Sequence, residues 1–218
     1  MTNERYKFPK IAHLPWSEGV DTRSDRIWTA QQVQKAFAGK EVVVTEKMDG
    51  ENTSMYRDYL HARSIDGRHH PSRDWVKQLH ARIAHHIPDD WRICGENLYA
   101  RHSIAYTDLP SFFLVFAIYN ERNVCLSWGE TLQWAKRFGL SCVPELYRGL
   151  YNEQAVAACY SGRSVFGESL QEGYVVRLAA AIPWDQHTAS ITKFVRQGHV
   201  QTDEHWMSGE IVRNKLQL

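Results

Sequence analysis

Residues 41–54 read EVVVTEKMDGENTS. The first six are a β-branched apolar run between two acids, which predicts a buried strand over Glu41–Glu46. Lys47-Met48-Asp49-Gly50 follows at once, and a lysine at a strand end before a tight acidic-Gly turn can present its amine into a cleft. Met55–Ala62 also has an extended pattern, so the two segments are expected to be antiparallel neighbours with KMDGENTS between them. Working outward, Thr29–Phe37 predicts a helix that Gly39 would stop. The stretch 1–40 mixes Pro, Trp and charged residues and reads as an irregular N-terminal wrap. Arg73–His86 carries Trp75, Val76, Leu79 and Ile83 as a helical stripe. Strands are expected at Trp91–Gly95 and Phe112–Tyr119. Ser127 with Glu130 forms a capping-box pattern for a helix that Gly139 would end. A short helix over Glu153–Tyr160 precedes strands at Gly173–Leu178 and Ser190–Val195, and 197–218 reads as a helical tail. Strands and helices follow one another without regular βαβ alternation, so the expected class is α+β with largely antiparallel sheets.

Bulk properties narrow the function classes. With 43% hydrophobic and 23% charged residues, the 218-residue chain has the composition of an ordinary globular domain, and a single domain over 1–218 is expected. No apolar run approaches the ~20 residues needed to cross a bilayer, and MTNERYKFPK lacks the apolar core of a secretory signal. Cys94, Cys125, Cys142 and Cys159 form no C-x-x-C pair and read as reduced thiols, which suggests a cytoplasmic protein. A formal net charge of +1 gives no strong overall field, so nucleic-acid binding would need a local basic patch.

Lys47 is the first candidate for chemistry. Attack by an amine on phosphorus requires its neutral form, so the ordinary lysine pKa of ~10.4 must fall, through a neighbouring cation, a metal or desolvation. K-x-D-G alone describes a solvated surface turn equally well; the rest of the chain decides. In order follow Arg63 in HARSIDG, Glu96 in GENLYA, Phe116 in FLVFAIYN, Glu172 in EGYVVR and Lys193 in ITKFVR. An aromatic face, two cations and two carboxylates at or within strands suit a nucleotide: ring against base, cations against phosphates, carboxylates against metal and ribose. The pairs His69-His70 and His85-His86 lack acidic or cysteine partners at ligand spacing and read as surface residues.

The ordered set EKMDG, ARS, GENLYA, FAIY, EGYVVR and TKFVR, from Glu46 to Arg196, resembles the ATP-dependent RNA ligases among the covalent nucleotidyltransferases. The resemblance implies an ATP-grasp-like nucleotidyltransferase core with ATP, Mg2+ (or Mn2+) and RNA as ligands. It implies that Lys47 attacks the α-phosphorus of ATP, that Glu46 contacts the adenine edge and that Asn52 helps hold the nucleotide. Arg63 would bind phosphate or ribose, Glu96 ribose hydroxyls or metal, and Phe116 would stack on adenine. Glu172 would bind the metal and Lys193 neutralise the α-phosphate. Many relatives carry K-x-K in the last motif; here Lys193 stands alone with Arg196 beyond it, and a guanidinium does not replace an ammonium. After Lys193 only 25 residues remain (218 − 193), so no OB domain is expected. The competing activities are a capping-type guanylyltransferase, a DNA nick ligase and a nucleic-acid-binding module without chemistry.

Overall fold

The computed structural model describes residues 4–21, 23–65, 68–199 and 211–217. EVVVTE forms β2 (Glu41–Glu46) at the expected bounds. The strand is buried on both faces, which is why it reads as an unbroken apolar run. Val42 and Val44 pack on Val33 and Phe37 of α1 (Ala30–Phe37), while Val43 joins Leu98 and Leu114 of the opposite sheet. Each such fully buried side chain contributes ~1.5–3 kcal/mol. Helix α1 starts where a reciprocal Thr29–Gln32 capping box satisfies its first amides, and Gly39, with φ +69°, takes the left-handed turn after it.

The first sheet has the order β1 (Ala12–His13), β12 (Ile191–Val195), β10 (Gly173–Leu178), β2 and β9 (Glu145–Leu150). The second has the order β11 (Ile182–Pro183), β7 (Val124–Cys125), β6 (Phe113–Tyr119), β5 (Arg92–Asn97), β3 (Glu51–Met55) and β4 (Leu60–Ala62), with β8 (Ser141–Cys142) also on β6. All pairings are antiparallel except β1 with β12 and β6 with β8. Helices α2 (Asp74–Ile83) and α3 (Trp128–Arg137) pack on the outer face of the second sheet through Val76, Leu79, Ile83 and Ala135. Helix α4 (Glu153–Ala157) joins α1 on the outer face of the first sheet through Val156. The sheets meet face to face where Cys94 and Ala117 contact Ile191 and Val175. No helix among the described residues is long and apolar enough to cross a membrane, and all four cysteines are free.

Two expectations are corrected. β2 and the β3–β4 hairpin are not neighbours: β2 pairs with β10 and β9 in one sheet, and β3 with β4 and β5 in the other. The Lys47–Gly50 turn carries the chain from sheet to sheet, and the second strand begins early, at Glu51, with the true turn between Tyr56 and Tyr59. The expected helical tail is also not helical over 211–217. It runs extended, bridging Ala100 at Arg213 and Leu109 at Leu216. Buried Asn214 explains why: its amide donates to Leu98 O at 2.8 Å and accepts from Tyr106 N at 3.0 Å, tying the tail to loops rather than to itself. Residues 200–210 of that expectation lie outside the described residues.

Candidate active site

Lys47 leaves β2 where the main chain is still pinned, its amide donating to Gly173 O of β10 at 3.0 Å. Its Nζ lies 2.8 Å from each oxygen of Glu172, which is wholly buried at the start of β10. Two residues on, Asp49 is held from three sides. Its amide donates to Tyr106 Oη at 2.9 Å, and its Oδ2 accepts from Ser103 N and Ile104 N at 2.8 and 2.9 Å. The extended tail thus buttresses the motif, since Asn214 holds Tyr106 and Tyr106 holds Asp49. Gly50 follows with its amide donating to Glu96 Oε1 at 3.2 Å, and no side chain fits there: a Cβ would meet Asn97 O at 2.5 Å. Asn52 and Glu96 are cross-strand partners of β3 and β5, which puts them on one face, and the Asn52 Oδ1 is buried with no hydrogen bond.

Electrostatics binds this group together. Burial pushes the Lys47 ammonium down, but the carboxylates of Glu172, Glu96 and Asp49 outweigh it and hold the pKa above the ordinary value. The expected fall is therefore not present in the protein alone, because three acids from different parts of the chain surround one amine. Glu172 shows the reverse balance: burial pushes it up, and the Lys47 ammonium, followed by the His199 imidazole beside it, brings it below the usual carboxylate value. Glu96 is pushed up to about 8 by burial, against Lys47 and with Glu172 and Asp49 adding to the rise. Lys193, paired with Val175 across β12 and β10, is brought down to about 8 by burial, with Lys47 and Arg63 adding to the fall and Asp25 and Glu172 opposing it.

The remaining expected residues sit around this centre. Glu46 points its Oε2 at Val165 N, 2.9 Å away in the 161–171 loop, and its Oε1 is buried with no hydrogen bond. Burial raises its pKa. Arg63 donates through Nε to Phe8 O at 3.2 Å, and the Phe8 ring meets Phe116 edge to face at 5.1 Å. Arg196, where a second lysine was sought, donates through Nε to Gln171 O at 3.1 Å and through its amide to Glu172 O at 3.0 Å, so it braces the backbone of Glu172.

Three contributors escaped the sequence reading. Asp49 was seen only as a turn residue, His199 only as a tail residue, and Phe8 only as part of the wrap. The side chain of His199 is 1% exposed, with Nε2 3.2 Å from Glu172 Oε1 and 3.6 Å from Asp49 Oδ1. The ligand atoms of Asp49, Glu172 and His199 all lie within 4.8 Å of one another. Both His199 ring nitrogens are buried and make no hydrogen bond, while Glu172 Oε1 faces the Lys47 ammonium at 2.8 Å, so the cluster already gathers positive charge. Glu96 stands outside this trio.

A two-sheet α+β fold that gathers a lysine, carboxylates and a second lysine around one centre is the architecture of the ligase nucleotidyltransferases. A family model described as RNA ligase matches residues 40–195. The chain belongs to the RNA ligase family. Among solved structures it resembles a Naegleria gruberi RNA ligase with PPi (TM-score 0.59, 19% identity, 90% of this chain and 60% of that one). It also resembles an archaeal ATP-dependent RNA ligase (TM-score 0.59, 21% identity, 90% of this chain and 50% of that one). A third is a putative ATP-dependent DNA ligase from Aquifex aeolicus (TM-score 0.56, 20% identity, 88% and 50%). At these identities the likeness is one of fold, and the chain spans between half and three-fifths of those proteins. No curated protein matches.

Proposed function

We propose that the protein joins RNA 3′-hydroxyl and 5′-phosphate ends with ATP, through a lysyl-adenylate on Lys47. The observation that carries this reading is the Lys47 amine held 2.8 Å from buried Glu172, with Asp49 and Glu96 close enough to govern its charge. In the first step the Lys47 nitrogen, having lost a proton, bonds to the α-phosphorus of ATP as the bond to pyrophosphate breaks. An RNA 5′-phosphate oxygen then takes the AMP and frees Lys47. Finally a 3′-hydroxyl oxygen displaces AMP and closes the phosphodiester.

Each residue has a part in these steps. Lys193 offsets charge that builds on the α-phosphate, and Arg63 binds phosphate. Glu46 Oε1 and Asn52 Oδ1, both buried without partners, are acceptors for nucleotide donors, and Phe116 offers its ring to adenine. Glu96 takes ribose hydroxyls. A divalent metal, Mg2+ or Mn2+, held at Glu172 would withdraw negative charge from the phosphates.

The test is labelling of the protein with radioactive ATP or GTP, followed by mass spectrometry of its peptides. AMP on the peptide carrying Lys47, absent in Lys47→Ala, is expected. Preference for GTP would make the protein a capping-type enzyme, and labelling of Lys47→Ala at the wild-type level would remove Lys47 from the chemistry. Pre-adenylated nicked duplexes with a ribose or deoxyribose 3′-hydroxyl end separate RNA from DNA joining. At least a tenfold preference for ribose is expected, ~1.4 kcal/mol at the transition state. Equal rates would indicate a general or DNA ligase.

A further inference from the structure

His199 lies beyond the family match, which ends at residue 195, yet its imidazole is enclosed beside the nucleophile's own carboxylate partner. We propose that Asp49, Glu172 and His199 form a divalent-cation site that fills without nucleotide and prefers Mn2+ to Mg2+. The inference deepens the reading of this cleft as a nucleotidyl-transfer site and rests on it only for what the cation serves.

The geometry is that of neighbouring ligands on one ion. Atoms bound at ~2.1 Å in adjacent octahedral positions stand ~3.0 Å apart. His199 Nε2 is 3.2 Å from Glu172 Oε1 and 3.6 Å from Asp49 Oδ1, near that spacing, and all three ligand atoms lie within 4.8 Å of one another. The two carboxylates are held from behind. Two backbone amides fix Asp49 through Oδ2, which turns Oδ1 to the site. Glu172 is fixed by Lys47, 2.8 Å from both carboxylate oxygens, and by Arg196 N on its backbone. An ion pair between His199 and the acids would aim an N–H at an oxygen; neither ring nitrogen makes a hydrogen bond, although both are buried. A metal cation instead uses the nitrogen lone pair together with Glu172 Oε1, which the Lys47 ammonium faces at 2.8 Å.

The ligand set also states a preference. Mg2+ takes oxygen ligands, holds its waters tightly and is seldom bound by protein atoms alone, whereas imidazole suits the transition metals. A nitrogen ligand enclosed with two carboxylates therefore favours Mn2+. Because all three ligands come from the chain, ATP is not needed to complete the site.

The experiment is Mn2+ titration of the full chain without nucleotide, following loss of the free-ion electron paramagnetic resonance signal, with Mg2+ as competitor. One bound Mn2+ per chain is expected, with an equal concentration of Mg2+ displacing little of it. His199→Ala should weaken Mn2+ binding by more than ~100-fold, beyond the ~10–100-fold that loss of an outer-shell partner typically costs. His199→Asp should retain binding but accept Mg2+ and Mn2+ alike, which guards against a misfolded alanine variant. Lys47→Ala should bind Mn2+ at least as well as the wild type, since a competing cation is removed. No Mn2+ binding without ATP would mean a histidine–carboxylate cluster only and would overturn the proposal, as would unchanged affinity in His199→Ala. AMP labelling read in parallel keeps the two readings apart: labelling without nucleotide-free Mn2+ binding sinks this inference alone, and Mn2+ binding without labelling sinks the ligase reading alone.

Discussion

Replacing Lys193 with arginine should change the shape of the pH dependence more tellingly than its height. In the folded protein Lys193 is brought down to about 8, by burial first and then by Lys47 and Arg63. If its charge is what the α-phosphate requires, about nine-tenths of the protein carries it at pH 7 and about one-tenth at pH 9. Raising pH across this window removes the ammonium, so the sign is a loss of Lys193 function on the alkaline side. An arginine does not titrate there. The forked head will fit the site less well, and the variant is expected to be slower at every pH. Lys47 must lose a proton in either protein, and that gain with pH is common to both. The ratio of Lys193→Arg to wild-type rates removes both complications and should rise about tenfold from pH 7 to pH 9, the full change in the charged fraction. The assay is single-turnover formation of the AMP-labelled protein at ATP concentrations well below saturation, where the rate reports the charge states of the free protein. A ratio that stays flat across those two units would show that the charge of Lys193 is not used in the step, and the assignment would fall.

Other perturbations test the site and the scaffold separately. Glu96 titrates at about 8 in the folded protein against an ordinary 4.5, so between those values the native state binds the extra proton and stability declines as pH rises. Glu96→Gln removes this decline, and its melting temperature relative to the wild type should climb from pH 5 to pH 8; a constant difference would contradict the assigned environment. Gly50→Ala places a Cβ 2.5 Å from Asn97 O and 2.8 Å from Leu98 Cδ2. Overpacking of that kind costs ~1–3 kcal/mol, or about 2–4 °C of Tm per kcal/mol in a chain of this size, and labelling should drop with it; a variant that melts and labels like the wild type would show that the turn yields freely. Thr29→Ala removes the α1 cap and should cost ~1 kcal/mol in thermal or urea denaturation while leaving labelling per folded molecule unchanged, because α1 faces away from the cleft. A matching loss of labelling would mean that the outer layer is coupled to the site.

What the sequence disclosed and what it hid divide along the range of the interactions. EVVVTE, the Ser127–Glu130 box and the stripe of α2 are local patterns, and each became the expected element because a strand buried on both faces or a capped helix leaves its periodicity in a few consecutive residues. The same locality explains the strand-end positions of Lys47 and Glu172, which the motif order marked. Pairing is not local. β2 finds its neighbour in β10, so Lys47 meets a carboxylate 125 residues away, and no reading of KMDGENTS alone could move the next strand into the other sheet. The direction of the Lys47 shift was hidden for the same reason: it depends on Glu172, Glu96 and Asp49 converging from three segments. His199 is the extreme case, a single histidine in a polar stretch whose meaning appears only when β12 delivers it beside Asp49. The position of a candidate nucleophile can thus be read from a motif, but its charge state belongs to the assembled site. For the proposed chemistry, the carboxylate excess around Lys47 in the protein alone is also the physical reason that cations, from nucleotide-borne or chain-held metal, would be needed before its amine can lose a proton.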